Sequence, residues 1–323
     1  MQYEENGKII QGVGGLFEVA LDAGTTPLSG CRVSARAKGN FRHEGLVPLP
    51  GDRVRLAFDE SAFSREEEGN RDGGGAVIRE ILDRKNALIR PPMANLDFLF
   101  ITIAAAEPAP VPETVDKLIA IAEFNGIEPV LVIGKSDIAP DAAASLRETY
   151  EKAGFSVFLL SAKEGVGVEP LREFLAEKMP HKTAAFAGAS GVGKSTLMNA
   201  LFPSLSLATG EISERIARGK HTTRRVRLYP IDGVENAYVA DTPGFSMLDF
   251  VRFDFFGKED LPYTMREFEP YLLQCRYKKC THTKEEGCAV LAAVKSGEIA
   301  KSRHASYCAM FDALKNKHEW SKK

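Results

Sequence analysis

The chain has 323 residues, of which 44% are hydrophobic and 27% charged, so it exceeds the usual size of one core and is expected to form two or three globular domains. No apolar run approaches the roughly 20 residues that a bilayer requires. The acidic start, MQYEENGKII, lacks the basic segment and cleavage site of a signal peptide. We therefore expect a cytoplasmic protein that has no membrane partner and acts as a monomer.

The formal net charge of -2 conceals an uneven distribution. Residues 1–90 carry 13 Lys or Arg and 14 Asp or Glu, whereas residues 276–323 carry 11 and 5, a difference of 6. A basic end on a near-neutral chain indicates an anionic partner such as nucleic acid, although it could also be a solvated face. Three of the five cysteines lie between positions 275 and 288, which favours a metal site over disulfides.

The first ninety residues contain short β-rich runs that are separated by Gly and Pro. Five strands at this spacing suit a small barrel such as an OB-fold. We predict a barrel over residues 1–91, in which a local basic run favours contact with RNA; the run comprises Arg32, Arg36, Lys38 and Arg42. Its candidate strands are 8–21, 31–39, 51–58, 75–82 and 86–90.

Strands and helices then alternate, which predicts a parallel α/β sheet with ligands at the carboxyl ends of its strands. We assign this domain to residues 92–250. The predicted strands are 96–106, 128–134, 156–162, 183–188 and 236–245, and the predicted helices are 112–126, 141–154 and 169–179.

The stretch VLVIGKSDI, residues 130–138, resembles a guanine-reading loop that ends a buried strand. The Asp137 carboxylate can accept hydrogen bonds from guanine N1–H and N2–H₂, which adenine does not offer. The aliphatic stem of Lys135 can cover the base. Backbone amides of Ser161, Ala162 and Lys163 would form the companion loop that meets guanine O6. Gly134 stands where the motif usually has Asn, a loss of about 0.5–1.5 kcal/mol.

The strongest motif is GASGVGKST, residues 188–196, which fits G-x-x-x-x-G-K-[ST] between a predicted strand and a predicted helix. Its backbone N–H groups would surround phosphate oxygens, aided by the positive end of the helix. Lys194 should reach the β- and γ-phosphates, and Ser195 should bind Mg²⁺. The nucleotide-contacting set is Gly188, Ala189, Ser190, Gly191, Val192, Gly193, Lys194, Ser195 and Thr196.

Two later segments are candidates for the switches. Asp241 and Gly244, in DTPG at a strand end, would bind Mg²⁺ through water and contact the γ-phosphate. In ARGKHTTRR, residues 217–225, one of Thr222 and Thr223 would bind Mg²⁺. His221 in the same segment is either catalytic or a solvated loop residue.

Phe245 occupies the position after Asp-x-x-Gly where Ras-like enzymes carry the Gln that orients water. A phenyl ring cannot form the required hydrogen bond, so the water must be positioned by another group. His221 is the nearest titratable candidate. We therefore expect slow intrinsic turnover and a partner that orders the switch.

Along the sequence the motifs occur in the order guanine loop, companion loop, phosphate loop, first switch and second switch. An ordinary GTPase begins with the phosphate loop and ends with the guanine and companion loops. Cutting that order after the second switch and joining the old ends gives the order seen here. The sequence therefore predicts a circularly permuted GTPase, a rearrangement that proteins tolerate because domain termini lie close together at the surface.

The run CRYKKCTHTKEEGC places Cys275, Cys280, His282 and Cys288 within 14 positions. Three thiolates and one imidazole suit a tetrahedral, structural Zn²⁺ site without an open position. We assign residues 251–323 to a mainly helical zinc-binding domain. Cys31 and Cys308 lie outside the cluster and are expected to be ordinary thiols.

These features together resemble the ribosome small subunit-dependent GTPase A family, over essentially the whole chain. The resemblance implies an OB-fold, a permuted GTPase domain and a zinc domain that dock on the 30S ribosomal subunit and its 16S rRNA. It implies GTP hydrolysis that the subunit stimulates, late in 30S maturation. It also implies that His221 is the catalytic histidine and Thr223 the Mg²⁺ ligand, with Phe245 as the family's apolar replacement of Gln.

Two other functions stay open at this point. One is a non-enzymatic RNA-binding module that holds GTP as a structural ligand, which the missing Gln and Asn would allow. The other is a permuted GTPase of large-subunit assembly or of a metabolic process.

Overall fold

The structure, a computed structural model, describes residues 2–24, 29–39, 41, 45–59, 76–205, 226–241 and 256–320. Its strands form one sheet of 11 members and a separate pair of two-residue strands. None of the described helices is both long enough and apolar enough to cross a membrane.

The N-terminal part is a closed five-stranded barrel, in which β1 pairs with both β2 and β4 and β5 lies between β3 and β4. Apolar side chains alternate inward along the strands, as in Phe17, Val19 and Leu21 of β2. This confirms the predicted barrel. The strands are β1 (Gln2–Val13), β2 (Leu16–Leu21), β3 (Arg32–Ala37), β4 (Arg53–Asp59) and β5 (Ala76–Ile81).

Two of the predicted barrel strands are wrong in detail. The run 8–21 is a hairpin rather than one strand, because Gly14 and Gly15 both adopt positive φ, at 59° and 84°. The run 86–90 does not join the barrel. It contributes only β6 (Ala87–Leu88), which pairs with β7 (Met93–Ala94).

The central part is an α/β sheet in the order β10-β9-β8-β11-β13-β12. All neighbours are parallel except the β12–β13 hairpin. All seven residues of β8 are buried, which explains its continuous apolar sequence. The strands are β8 (Phe98–Ala104), β9 (Glu128–Gly134), β10 (Ser156–Leu159), β11 (Thr183–Ala187), β12 (Arg227–Pro230) and β13 (Tyr238–Asp241).

In the described part of the chain, four helices lie between these strands, and the first two begin with proline, whose fixed φ suits the first helical turn. They are α1 (Pro112–Phe124), α2 (Pro140–Lys152), α3 (Val168–Lys178) and α4 (Lys194–Leu201). Because β11, the phosphate-loop strand, lies between β8 and β13, strands from both halves of the chain complete one sheet.

The barrel and the α/β sheet are continuous, because β1 pairs with β12 where Gln11 lies opposite Arg227. Beside this contact the ammonium of Lys8 lies between the two domains. It donates a 3.0 Å hydrogen bond to Oγ1 of Thr183 and lies 4.6 Å from the ring centroid of Tyr238.

The C-terminal part is mainly helical, as predicted. Over residues 256–320 it comprises two 3-10 helices, Leu261–Thr264 and Arg266–Tyr271, followed by α5 (Ala289–Ser296) and α6 (Lys301–Trp320). Helix α6 packs against α1, so this part is attached to the α/β sheet through that helix.

Candidate nucleotide site and metal centre

The predicted phosphate loop connects β11 to α4, the strand–loop–helix arrangement that the motif requires. Gly188 has φ 143°, and a Cβ there would lie 2.4 Å from the carbonyl oxygen of Thr102 on β8. Gly191 and Gly193 also have positive φ, at 78° and 98°. Glycine is therefore required at these turns, and the loop can approach an anion through its backbone.

The side chain of Lys194 lies within the curve of the loop. Its ammonium donates hydrogen bonds to the carbonyl oxygens of Gly188, at 2.6 Å, and Ala189, at 3.1 Å. Gly193 is the N-cap of α4, so Lys194, Ser195 and Thr196 form the first turn of that helix. A positive charge and the positive end of a helix therefore meet at one point, as an anion-binding site requires.

The predicted guanine loop follows β9, and it contacts the phosphate loop although the two lie far apart in sequence. The Lys135 ammonium is 3.2 Å from the carbonyl oxygen of Gly191. Lys135 itself has φ 59°. The structure thus brings Lys135 and Asp137 to the edge of the sheet that carries Gly188 to Thr196.

The companion loop lies beside the guanine loop. The Ser136 amide donates a 3.3 Å hydrogen bond to the carbonyl oxygen of Leu160, and Ser161 is closed onto Val166 by two backbone hydrogen bonds of 2.9 and 3.1 Å. Ser161 is buried, Ala162 is half-buried and Lys163 is exposed. All three predicted loops of the nucleotide site therefore share one edge of the sheet.

The sequence reasoning missed a fourth loop, residues 105–111, between β8 and α1. The carbonyl oxygen of Glu107 accepts a hydrogen bond from the Lys135 ammonium. A Cβ on Gly191 would lie 3.7 Å from Cδ of Pro108. The loop thus contacts both the guanine loop and the phosphate loop. Its sequence, EPAPVP after a buried strand, was the available signal.

Several predicted site residues lie outside the described part of the chain. They are His221, Thr222, Thr223 and Gly244, together with Phe245. Asp241 ends β13, beside β11, with its backbone described and its side chain not.

The four predicted metal ligands come together in the C-terminal part, with all ligand atoms within 4.8 Å of one another. His282 Nδ1 is 3.5 Å from Sγ of both Cys275 and Cys288, and those two sulfurs are 3.8 Å apart. A tetrahedral ion with bonds of about 2.3 Å to sulfur and 2.0–2.1 Å to nitrogen requires separations of about 3.5 and 3.8 Å. The four residues, Cys275, Cys280, His282 and Cys288, therefore fit Zn²⁺.

Backbone amides support two of the sulfurs in this cluster. Ala289 N–H points to Sγ of Cys275 at 3.4 Å, and Leu291 N–H points to Sγ of Cys288 at 3.5 Å. Cys288 is also the N-cap of α5. N–H donors and a helix N-terminus favour the thiolate form that a metal binds.

A second layer of contacts holds the loop that carries His282. His304 Nε2 lies 2.8 Å from the carbonyl oxygen of His282, and the hydroxyl of Tyr307 donates to Thr281 O at 2.7 Å. Burial alone would raise the pKa of Glu285, but hydrogen bonds from Thr281 and from backbone amides lower it to about 2. The Glu285 carboxylate therefore stays ionised and closes the loop over residues 281–285.

Comparison with known proteins agrees with this architecture. Residues 81–251 match the model of the RsgA GTPase, and residues 6–63 match that of the RsgA N-terminal domain. The chain belongs to the RsgA GTPase family. This confirms the resemblance drawn from the sequence and makes the chain a GTP hydrolase, with GTP, GDP and Mg²⁺ as the implied ligands.

The RsgA relatives match over nearly their full length. The small ribosomal subunit biogenesis GTPase RsgA of Halalkalibacterium halodurans is 37% identical over 97% of this chain and 98% of its own. That of Caldanaerobacter subterraneus subsp. tengcongensis is 38% identical over 97% of each.

Solved structures of the family have the same fold. The crystal structure of YjeQ from Thermotoga maritima matches with a TM-score of 0.76 at 31% identity, over 97% of this chain and 99% of that one. The structure of YloQ, described as a circularly permuted GTPase, matches with a TM-score of 0.74 at 28% identity, over 98% and 96%. The predicted permutation is therefore confirmed as the fold of this chain.

Proposed function

We propose that the chain binds the 30S ribosomal subunit through 16S rRNA and hydrolyses GTP to GDP and phosphate late in 30S maturation, with the subunit stimulating hydrolysis. The observation that carries the proposal is the contact between Lys135 and Gly191, which unites the guanine and phosphate loops of a permuted GTPase. The relatives' names, small ribosomal subunit biogenesis GTPases, support the choice of partner. A cytoplasmic location and a monomeric state follow as part of this proposal.

In this proposal the loops divide the nucleotide between them. The set from Gly188 to Thr196 holds the phosphates, and the Lys194 ammonium moves from the loop carbonyls to the β- and γ-phosphates. Asp137 selects guanine, Lys135 covers the base, and the amides of Ser161, Ala162 and Lys163 meet guanine O6. Mg²⁺, when bound, neutralises charge on the phosphates, and Ser195, Thr223 and Asp241 would hold it.

His221 is the proposed positioning group for the attacking water, because Phe245 has no hydrogen-bonding atom. Gly244 would donate its N–H to the γ-phosphate. Cys275, Cys280, His282 and Cys288 would hold one structural Zn²⁺, which leaves no open position for catalysis.

One experiment tests this function. GTP turnover is measured alone, with 30S particles and with 50S particles, for the wild type and for His221→Ala. We expect stimulation by 30S in the wild type, and its loss in His221→Ala with GTP binding retained. Stimulation by 50S alone would instead indicate a role in large-subunit assembly, and no stimulation by 30S would overturn the proposal.

A further inference from the structure

The zinc-binding loop exposes an aromatic side chain among cations. Between the ligands Cys275 and Cys280 the sequence reads Arg276-Tyr277-Lys278-Lys279, and all four residues are exposed. Tyr277 is 49% exposed, whereas Tyr307 of the same domain is fully buried. We refer to residues 276–279 as the Tyr277 turn.

The Tyr277 turn is held rigidly at both ends. It is flanked directly by two ligands of the metal cluster. The amide of Cys280 donates a 3.2 Å hydrogen bond to Tyr277 O, and the amide of Arg276 donates a 3.0 Å hydrogen bond to Gly287 O. A Cβ on Gly287 would lie 2.9 Å from Cβ of Arg276, so the two segments are in close contact. A partner of Tyr277 would therefore meet a turn whose backbone is already ordered, at a low cost in entropy.

The charges of the turn point to an anionic partner. The guanidinium carbon of Arg276 lies 5.6 Å from the ring centroid of Tyr277. Within the described part of the chain, none of Arg276, Lys278 and Lys279 takes part in an ion pair. Glu285 is turned inward onto backbone amides, at 2.8 Å from the Thr281 N–H, which leaves Glu286 as the exposed acid of this loop.

We propose that the Tyr277 turn is a base-stacking site for single-stranded RNA, with Tyr277 under an unpaired base and the three cations on the adjoining phosphates. An exposed π-face beside cations is the arrangement that proteins use for unpaired bases. A duplex keeps its bases stacked inside and offers this ring no partner. A protein partner fits less well, because protein interfaces are enriched in tyrosine and arginine but depleted in lysine, and the turn carries two lysines. This inference rests on the proposed function, since it names the RNA element that the C-terminal part would contact.

The chain offers a matched control residue. Tyr263, in the 3-10 helix Leu261–Thr264, is 75% exposed and therefore even more accessible than Tyr277. Asp260 lies three positions before it, and the cation three positions after it, Arg266, is paired with Glu123 and Glu128. A general effect of removing a surface aromatic ring would appear equally at both positions.

The test measures binding of the full-length, zinc-loaded protein to a fluorescein-labelled, unstructured RNA of about 12 nucleotides, within the usual span of single-strand binding sites. The expected result is about 5- to 150-fold weaker binding for Tyr277→Ala, because stacking contributes about 1–3 kcal/mol per base. Tyr277→Phe keeps the π-face and should bind within about twofold of the wild type, as should Tyr263→Ala.

Lys279→Gln should reduce the slope of log K against log salt by about 0.7, because one phosphate contact is lost. Equal binding by Tyr277→Ala and the wild type would overturn the proposal.

A local readout covers the case in which Tyr277→Ala loses its zinc. The chain has one tryptophan, Trp320, so Tyr277→Trp is made together with Trp320→Phe. Stacking predicts that the RNA quenches the fluorescence of the introduced tryptophan only when the RNA bases are unpaired. The matched variant, Tyr263→Trp with Trp320→Phe, should show no quenching. No quenching at position 277 would overturn the inference.

GTP turnover with 30S particles is measured on the same preparations, so that the two proposals fail separately. Stimulation by 30S with no effect of Tyr277 on RNA binding removes only the stacking site. Absence of stimulation removes the proposed function whatever the RNA result.

Discussion

Nη1 of Arg303 lies 2.5 Å from Oδ1 of Asp116, and the two side chains are 1% and 0% exposed. Arg303 belongs to α6 and Asp116 to α1, so this ion pair joins the C-terminal part to the α/β sheet. Arg303 also contacts both carboxylate oxygens of Glu267, at 2.7 and 3.0 Å. The Tyr150 hydroxyl donates to Asp116 at 3.2 Å. Burial raises the pKa of Asp116, and the positive charge of Arg303 opposes this shift.

Replacing Arg303 should strongly destabilise the junction between α1 and α6. Arg303→Met leaves the carboxylates of Asp116 and Glu267 buried without a cation, and we expect a loss of about 3–5 kcal/mol in the free energy of unfolding. Urea unfolding followed by circular dichroism measures it. Arg266→Met is the control, because Arg266 also bridges two carboxylates, Glu123 and Glu128, but is 30% exposed. A loss no larger than that of the control would contradict the prediction.

Gly134→Asn should tighten nucleotide binding. A Cβ at Gly134 would lie 3.7 Å from the carbonyl oxygens of Ile103 and Val192, so the substitution fits without a steric clash. An Asn amide could then donate to Val192 O in the phosphate loop, and one such bond contributes about 0.5–1.5 kcal/mol, or up to about tenfold in affinity. Titration calorimetry with GDP and GTP measures the change. Gly134→Ala is the control, and unchanged affinity for Asn would show that another group already links these loops.

Lys8→Met should stabilise the protein at pH 7. Burial, together with the nearby charge of Arg53, lowers the pKa of Lys8 to about 8, while Asp97 opposes the shift. Below that pH the folded state carries a buried charge, so its removal should add about 1–3 kcal/mol to the free energy of unfolding. The lost hydrogen bond to Thr183 opposes the gain by about 1 kcal/mol.

The pH dependence of the same pair of proteins gives an independent test. Between about 8 and 10.5, the unfolded state keeps the Lys8 proton that the folded state releases. The stability of the wild type should therefore rise with pH in this window relative to Lys8→Met. Thermal unfolding at pH 7, 8, 9 and 10 measures the difference, and parallel curves for the two proteins would refute the prediction.

Cys275→Ser should remove the metal and unfold the C-terminal part, because the closed cluster has no spare ligand. We expect zinc content to fall from one ion to near zero, as measured by mass spectrometry, with loss of hydrogen-exchange protection in α5. Cys308→Ser is the control. The Cys308 sulfur lies 3.7 Å from His304 Nε2 and outside the cluster, so its zinc content should not change. Retention of zinc by Cys275→Ser would rule out the cluster as the site.

Local sequence signals predicted most of the α/β sheet, because β8, β9 and β11 are buried on both faces and read as continuous apolar runs. The hairpin within 8–21 is also encoded, in Gly14-Gly15, although the run as a whole reads as one apolar strand. The pairing of β1 with β12 joins Gln11 to Arg227, and a pairing at such a separation leaves no mark in local periodicity.

The buried ion pairs were harder to predict, because their partners also lie far apart in the sequence. In the sequence, Arg303 is one of several cations in a basic tail. That pattern predicts a position on a solvated or anion-binding surface. The structure buries it against Asp116, a residue 187 positions earlier. The four metal ligands, in contrast, were predictable because they lie within 14 positions and their chemistry is specific. The second layer around them, Glu285 and His304, has no comparable pattern.

The sheet order also determines when the nucleotide site can form during synthesis. Of the α/β strands, β8, β9 and β10 leave the ribosome first, and they can pair with one another, but one side of β8 has no partner until β11 emerges. An ordinary GTPase makes its phosphate loop first. Here a nascent chain carries the guanine loop while an apolar strand edge is still open, and such an edge is prone to pair with other chains. Binding of GTP therefore cannot assist the folding of the first half, and it can stabilise the sheet only after β11 has been inserted.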